Sequence, residues 1–309
     1  MFSLASKGRQ YTLTMVSIII PTYGLPSGLK PAIDSILKQT CPDWELIVVD
    51  DNEPNTKPRS ETEQLMHSYT DKRIVYLQHP HNKNGAAARN TGIAKAKGKY
   101  IAFLDSDDEY LPQRLEKCIS VMELAPNNVA GVYTGCEFRR GGEVYHVEKT
   151  VEPGNFLVQT LACSFRFQTG SNIFVRKSVV DELGGFDESF IRHQDYEFLA
   201  RVFQKGYDLT AIQEVLVVKN NENVNLPNVE KMIVVKEQYL NKFKTVIDTL
   251  SQKEQQYVYH TQYTLVAEAA LRTKNRKMAK EYYRKASNIS SLTTKEQFRR
   301  LVFTIKSFV

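Results

Sequence analysis

The sequence predicts an α/β fold: an open, mixed but mostly parallel sheet flanked by helices, followed by a helical C-terminal extension. Three observations predict it. Continuous apolar, β-branched runs such as VSIII at Val16–Ile20 and ELIVV at Glu45–Val49 read as strands buried on both faces, as in parallel sheets. Helix-periodic segments alternate with these runs, which is the pattern of βαβ units. Beyond the polar stretch Asn220–Asn228 (NNENVNLPN), only helical periodicity continues.

Taken in order, Val16–Ile20 is the first strand, stopped by Pro21, and Pro31–Lys38 the first helix, with Ala32, Ile33, Ile36 and Leu37 at helical spacing. Glu45–Val49 is the second strand and runs into Asp50-Asp51. Arg73–Leu77 is the third, and Gly85–Lys97 an alanine-rich helix suited to close packing. Tyr100–Leu104 is the fourth strand and leads straight into Asp105-Ser106-Asp107-Asp108. Pro112–Leu124 reads as a helix with proline at its first position. Val132–Phe138 and Glu143–Glu148 flank Arg139-Arg140-Gly141-Gly142 as a hairpin. Ser171–Val175 is a strand, Ser178–Leu183 a helix stopped by Gly184-Gly185, Asp195–Gln204 a helix, and Val215–Val218 the last strand. Tyr257–Thr273 and Asn275–Ala286 form an antiparallel helix pair. Phe298, Leu301, Val302, Ile305 and Phe308 mark a final amphipathic, basic helix. The expected organisation is an extension at 1–14 ahead of Met15, a catalytic-type α/β domain at 15–220, and a helical region at 221–309.

With 42% apolar and 25% charged residues in 309, the chain is neither disordered nor fibrous, and it is long enough to bury a core without disulfides. No apolar run reaches the roughly 18–20 residues of a membrane span, and residues 1–14 lack the apolar centre of a signal peptide. Cys41, Cys118, Cys136 and Cys163 are widely spaced with no C-x-x-C pair, which argues for reduced thiols in the cytoplasm. Residues 221–309 hold 16 basic and 8 acidic side chains, against 25 and 27 in the rest. A basic tail points to an anionic partner, such as membrane lipid, a lipid-linked phosphate or nucleic acid, or else to a solvated helical face.

Ligands of open α/β sheets bind beyond the carboxyl ends of the strands. Pro21-Thr22-Tyr23, Asp50-Asp51 and Asp105–Asp108 all fall there. Neither the G-x-G-x-x-G fingerprint nor the G-x-x-x-x-G-K-[ST] loop is present, so no glycine-rich cradle holds a phosphate. Clustered carboxylates repel one another unless a cation intervenes, and Mg²⁺ or Mn²⁺ bridges carboxylate to diphosphate. Continued strand alternation would let Asp105 and Asp107 converge with Ser106 pointing away.

The segments VSIIIPTY (16–23), WELIVVDD (44–51), GAAARNTG (85–92) and GKYIAFLDSDD (98–108), with DSDDEYLPQRL (105–115), Gly184-Gly185-Phe186-Asp187 and Gln194-Asp195, resemble the family-2 inverting glycosyltransferases of GT-A fold. The resemblance covers about residues 15–220. It implies that Pro21, Thr22 and Tyr23 hold the nucleotide base, and that Asp51, with Asp50, contacts uracil and ribose. It sets Arg89 near the base or diphosphate and Asp105, with Ser106, near the ribose. Asp107, with Asp105, would ligate Mn²⁺ or Mg²⁺. The general base maps to Asp195; for this residue the bland alternative is a helix cap. The family's Glu-Asp pair reads Gln194-Asp195 here, a departure that puts the acceptor-orienting role of Gln194 in doubt. Asp108, Gln194 and His193 are further candidates for the donor sugar or acceptor, although His193 also reads as an exposed loop residue. His79 and His81 read as surface-loop residues.

The family's processive members carry Gln-x-x-Arg-Trp after this point. Trp44 is the only tryptophan, so transfer of a single sugar is expected. The implied activity is metal-dependent, inverting transfer from a nucleotide-diphosphate sugar, with UDP-hexose the default. The acceptor would be a glycan or lipid-linked hydroxyl, in cell-surface polysaccharide synthesis. The implied location is the cytoplasm, at the inner membrane face through the basic helices, with no nucleic-acid partner. A sugar-nucleotide nucleotidyltransferase, which would need a glycine-rich first loop, and a catalytically silent donor-binding partner are the competing readings.

Overall fold

The computed structural model describes residues 16–24, 26–149, 151–221, 228–294 and 296–297. Strands β1 (Val16–Thr22), β2 (Trp44–Asp50), β3 (Ile74–Gln78) and β4 (Tyr100–Phe103) lie in the order β3-β2-β1-β4, all parallel. Helices α1 (Leu29–Leu37), α2 (Lys57–His67) and α3 (Gly85–Lys95) make the crossovers. The sheet continues through β8 (Phe174–Arg176), antiparallel to β4, then β6 (Val129–Arg140), β9 (Asp208–Asn220) and a short edge, β5 (Glu109–Tyr110). β6 runs parallel to β9, and β7 (Glu143–Glu148) folds back on β6 as the expected hairpin. The α/β architecture with a mixed sheet is therefore present.

Alternation along β1 separates two core layers. Ile18 and Ile20 pack with α1 and with α4 (Arg114–Leu124). Ile19 packs on the other face with α3, α6 (Lys177–Leu183) and α7 (Gln194–Gln204). Three local expectations differ. Pro21 does not stop β1. Pairing with β4 ends at Ile19–Phe103, before the residue that lacks an N–H, while pairing with β2 continues to Thr22–Asp50. Ser171–Val175 is not one strand, because Gly170–Asn172 is a 3₁₀ turn that bends the chain ahead of β8. The last strand is much longer than Val215–Val218, since its first half is only half-buried or exposed and mixes polar with apolar residues, which hides the alternation.

After β9 the described chain is helical: α8 (Val229–Lys242), α9 (Lys244–Asp248), α10 (Gln252–Arg272) and α11 (Arg276–Ile289). α10 starts on a capping box of Ser251 and Glu254 and pairs with α11 as expected. These helices sit on the sheet domain. Tyr239, Phe243, Ile247 and Val258 share one buried cluster with Leu161, Ala162, Phe190 and Ala200. Within it, Tyr239 Oη donates to the Thr160 carbonyl at 3.0 Å. The expected basic helix at Phe298–Phe308 and the extension at 1–14 lie outside the described residues. Among the described residues, no helix is long and apolar enough to cross a membrane.

Gly92 sets how closely α3 approaches the sheet, because a β-carbon there would stand 2.5 Å from Ile19 Cγ2. Gly92→Ala should therefore cost about 1–3 kcal/mol of stability by overpacking. Urea unfolding should show this as a lower midpoint at unchanged slope.

Candidate active site

The carboxyl ends of β1, β2 and β4 are neighbours, so Pro21–Gly24, Asp51 and Asp105–Asp107 meet at one edge of the sheet. They line a cavity of about 590 Å³ together with Gly28, Gly85 and Arg89. Gly28 is required there, since a β-carbon would stand 2.9 Å from the Ser106 carbonyl oxygen. Tyr23 is open to solvent at the rim, with 68% of its surface exposed.

The acidic residues do different work. Asp50 is fully buried and does not line the cavity at the strand ends; it accepts from Tyr76 Oη at 2.5 Å and from the Asn52 amide at 2.9 Å, and pairs with Arg59 at 3.4 Å. Asp51 reaches the cavity, but its two oxygens already accept four hydrogen bonds. The donors are His79 Nδ1 (2.7 Å), the Lys83 amide (2.8 Å), Asn82 Nδ2 (2.9 Å) and the Asn84 amide (2.9 Å). An ionised carboxylate has about four lone-pair sites, so Asp51 shapes the 79–84 loop rather than offering a free acceptor. His79 is buried between Asp51 and Thr91, which corrects its reading as a surface residue; His81 is exposed.

β4 ends at Phe103, and residues 105–108 form a turn closed by the Asp108 amide on the Asp105 carbonyl at 3.1 Å. Strand alternation therefore fails, and Ser106 lines the same cavity as Asp105 and Asp107. Arg89 binds this turn to α7: Nη2 donates to Asp105 Oδ1 at 2.7 Å, and Nη1 to Gln194 Oε1 at 2.8 Å. Gln194 Nε2 donates back to the Phe190 carbonyl at 2.7 Å, so the residue that departs from the family pattern is a buried clamp on Arg89 and lines neither cavity described here.

A second cavity, of about 650 Å³, lies beside the first and shares Asp105 with it. Its wall includes Asp195, Tyr196, Thr169, Gly170 and Lys219, with Thr261 and Leu265 from α10. Asp195 stands in the first turn of α7 and is not its cap. The N-cap is His193, in the left-handed conformation at φ 61°. Asp195 Oδ1 is buried with no hydrogen-bond partner. Gly170 permits this, since a β-carbon there would stand 2.8 Å from that oxygen. Burial raises the Asp195 carboxyl above the usual range; Asp105 adds to the shift, while Arg89 and Lys219 oppose it. His193 is mostly buried rather than exposed, and burial with the Lys236 and Arg192 charges holds it down to about 3.

Asp108 is fully buried and lines neither of these two cavities. It accepts from Ser171 Oγ (2.6 Å), Thr169 Oγ1 (2.9 Å) and the Asn220 amide (3.2 Å). Lys219 was not singled out by the sequence, although it follows directly on the Val215–Val218 run. Its ammonium stands 3.9 Å from Asp108 and 3.3 Å from Thr169 Oγ1; burial pulls its pKa down, but the charges of Asp108, Asp105, Asp107 and Asp195 outweigh this and raise it above the ordinary lysine value.

The residues fit a divalent ion in one specific way. Asp107 has no side-chain partner among the described residues, and desolvation with the Asp105 charge raises its carboxyl, with Lys219 opposing. Among the described residues no group of three ligand side chains forms a closed protein cage. Mg²⁺ and Mn²⁺ sites of nucleotide enzymes take one or two carboxylates and complete their shell with phosphates and water, which suits Asp107 and Asp105.

Residues 17–184 match the family described as Glycosyl transferase family 2. The chain belongs to this family. An uncharacterized glycosyltransferase of Methanocaldococcus jannaschii is 31% identical over 263 residues, which is 80% of this chain and 78% of that protein. The Escherichia coli UDP-Glc:alpha-D-GlcNAc-diphosphoundecaprenol beta-1,3-glucosyltransferase WfgD is 37% identical over 139 residues, 45% of this chain and about half (51%) of that enzyme. In fold, the chain matches Staphylococcus aureus TarS 1–349 in complex with UDP at a TM-score of 0.54 and 16% identity, covering 93% and 92% of the two chains. It matches the mannosyltransferase PcManGT of Pyrobaculum calidifontis, in complex with GDP-Man and Mn²⁺, at a TM-score of 0.57 and 16% identity over 94% and 84%. The protein is thus a family-2 glycosyltransferase of GT-A fold that uses a nucleotide-sugar donor.

The buried acid beneath this glycosyltransferase's site makes stability depend on pH. Burial pushes the Asp108 carboxyl up to about 7, Asp105 and Asp107 adding to the shift against Lys219. The folded state therefore holds this proton more tightly than the unfolded chain does. The associated stability is present at low pH and is lost as pH rises from about 4 through 7. Asp108→Asn removes the ionisation, so its melting temperature should fall less between pH 5 and pH 8 than the wild type's.

Proposed function

We propose that this glycosyltransferase moves one hexose from a UDP-sugar to an acceptor hydroxyl in a single inverting displacement. The observation that carries this reading is Asp195, whose Oδ1 is buried without a hydrogen-bond partner and which lines a cavity that meets the nucleotide-side cavity at Asp105. A base without competing hydrogen bonds, in a desolvated wall, is suited to accept a proton from a hydroxyl.

The donor occupies the first cavity. Thr22 and the exposed Tyr23 flank the base, and the loop fixed by Asp51 forms the floor under the nucleotide. Arg89 and Asp105 set the position of the sugar–phosphate junction. Asp107, with Asp105, would hold Mn²⁺ or Mg²⁺, which when bound would supply charge stabilisation to the leaving diphosphate. The acceptor occupies the second cavity, and its hydroxyl meets Asp195 from the side opposite the donor. Asp195 takes the hydroxyl proton, and that opposed approach inverts the anomeric configuration. The Lys219 charge opposes the rise in the Asp107, Asp108 and Asp195 carboxyls.

The UDP donor is supported by the Staphylococcus aureus structure with UDP and the metal by the Pyrobaculum calidifontis structure with Mn²⁺. A lipid-linked acceptor in polysaccharide synthesis is supported by the printed activity of the Escherichia coli relative. Single addition is supported by the absence of tryptophan after Asp195. An acceptor at the cytoplasmic membrane face suits the basic residues 221–309, which we read as a helical region that follows the α/β domain at 15–220 and contributes to the acceptor cavity.

Asp195→Asn should retain UDP affinity and lose turnover by about 10²–10⁴-fold. In the wild type, kcat should rise with pH through a midpoint above the ordinary carboxylate range. Lost UDP affinity in the variant, or retained turnover, would remove Asp195 as the base. Product configuration by NMR, β from an α-linked donor, tests the inversion.

A further inference from the structure

The nucleotide-side cavity is shaped by a residue that does not reach it. His79 lines a different cavity, with Thr56, Arg59 and Ser60 at the start of α2, and is absent from the wall that holds Thr22, Asp51 and Arg89. It is only 5% exposed, and its ring bridges two elements. Nδ1 stands 2.7 Å from Asp51 Oδ1, just past the end of β2, and Nε2 stands 2.8 Å from Thr91 Oγ1 on α3.

The other three donors to Asp51 come from consecutive loop residues. The Lys83 amide shares Oδ1 with His79, while Asn82 Nδ2 and the Asn84 amide share Oδ2. Asn84 then caps α3 by accepting from the Ala86 and Ala87 amides, and Gly85, Ala88 and Arg89 of that helix line the nucleotide-side cavity. The backbone of His79 is held independently of its ring. Its amide donates to the Asp50 carbonyl at 2.9 Å, and its carbonyl accepts from Arg59 Nη2 at 2.8 Å. Truncating the ring therefore leaves the chain path in place and frees one lone pair of Asp51.

We propose that His79 is a positioning residue for recognition of the nucleotide base: by occupying Asp51 Oδ1 it ties the 79–84 loop to β2 and α3 and denies the base a free carboxylate oxygen. The proposal rests on the reading of this cavity as the UDP site. With all of its lone-pair sites taken, Asp51 gives the cavity a wall of fixed groups. A site of fixed hydrogen-bond groups rejects an analogue whose donors and acceptors are exchanged. Uracil and cytosine are such a pair, since uracil carries a carbonyl where cytosine carries an amino group. An Asp51 oxygen freed from His79 accepts from that amino group, so loss of the ring erodes the discrimination between the two bases.

The test is calorimetric titration of the full-length protein with UDP and with CDP, each at saturating Mn²⁺. The wild type should bind UDP more tightly than CDP. In His79→Ala that preference should fall by about tenfold. His79→Asn, whose amide can donate to Asp51 in place of Nδ1, should restore most of it. The ratio of two affinities does not depend on the fraction of protein that is folded, so a less stable variant still reports on it. An unchanged preference in His79→Ala, with or without a uniform loss of affinity, would mark His79 as structural and overturn the proposal while leaving the UDP reading intact. A preference in His79→Asn as low as in His79→Ala would overturn it as well. Equal affinity of the wild type for UDP and CDP would overturn the UDP reading itself, and the proposal with it.

Discussion

Four carboxylates, Asp105, Asp107, Asp108 and Asp195, crowd one edge of the sheet, where only cations among them allow all to be ionised together. Arg89 and Lys219 are the cations built into the chain. Arg89 crosses from α3 to grip Asp105 with one nitrogen and Gln194 with the other. Lys219, at the end of β9, feels all four carboxylates. These two side chains bring the turn after β4 and the first turn of α7 together, and those two elements carry the residues on which the chemistry rests. The replacement of a glutamate by Gln194 is intelligible in these terms. An amide oxygen still accepts from Arg89, and one negative charge is removed from an already crowded edge.

The shared position of Asp105 divides the site. One cavity holds the strand-end residues expected for a nucleotide, and the other holds Asp195 and its glycine neighbour Gly170. The helical region is not a remote appendage to this arrangement. Tyr239 and Phe243 anchor it in a common core with α5 (Leu157–Leu161) and α7, and α10 places Thr261 and Leu265 in the wall of the second cavity. The selectivity of that cavity therefore depends on residues from both parts of the chain, including the part beyond the family match at 17–184.

The sheet was legible because its central strands are buried on both faces, so Val16–Ile20 and Glu45–Val49 read without ambiguity. Helix α2 was silent, since KPRSETEQLMH carries only Leu65 and Met66 as large apolar residues; its signals were the cap Thr56 and the early Pro58. At the site, strand ends led to Thr22, Asp51, Asp105 and Asp107. Spacing could not reveal that Asp50 and Asp108 are turned into the core, because adjacent acids look alike in sequence and differ only in which neighbours reach them. Lys219, Gly170 and Thr169 join the site through long-range packing of β9 and a 3₁₀ turn, which no local pattern encodes. His79 was misplaced for the same reason, since its partners Asp51 and Thr91 lie on other elements.

The central claim is that Asp107, which has no side-chain partner among the described residues and lines the nucleotide-side cavity, would hold a metal ion that binds the donor's diphosphate. Its most direct test is UDP affinity measured calorimetrically with Mn²⁺ and with chelator, in the wild type and in Asp107→Asn, which keeps the shape and removes the charge. The account predicts that Mn²⁺ tightens UDP binding in the wild type and has little effect in the variant. Equal UDP affinity with and without Mn²⁺ in the wild type, or the same Mn²⁺ effect in both proteins, would contradict it.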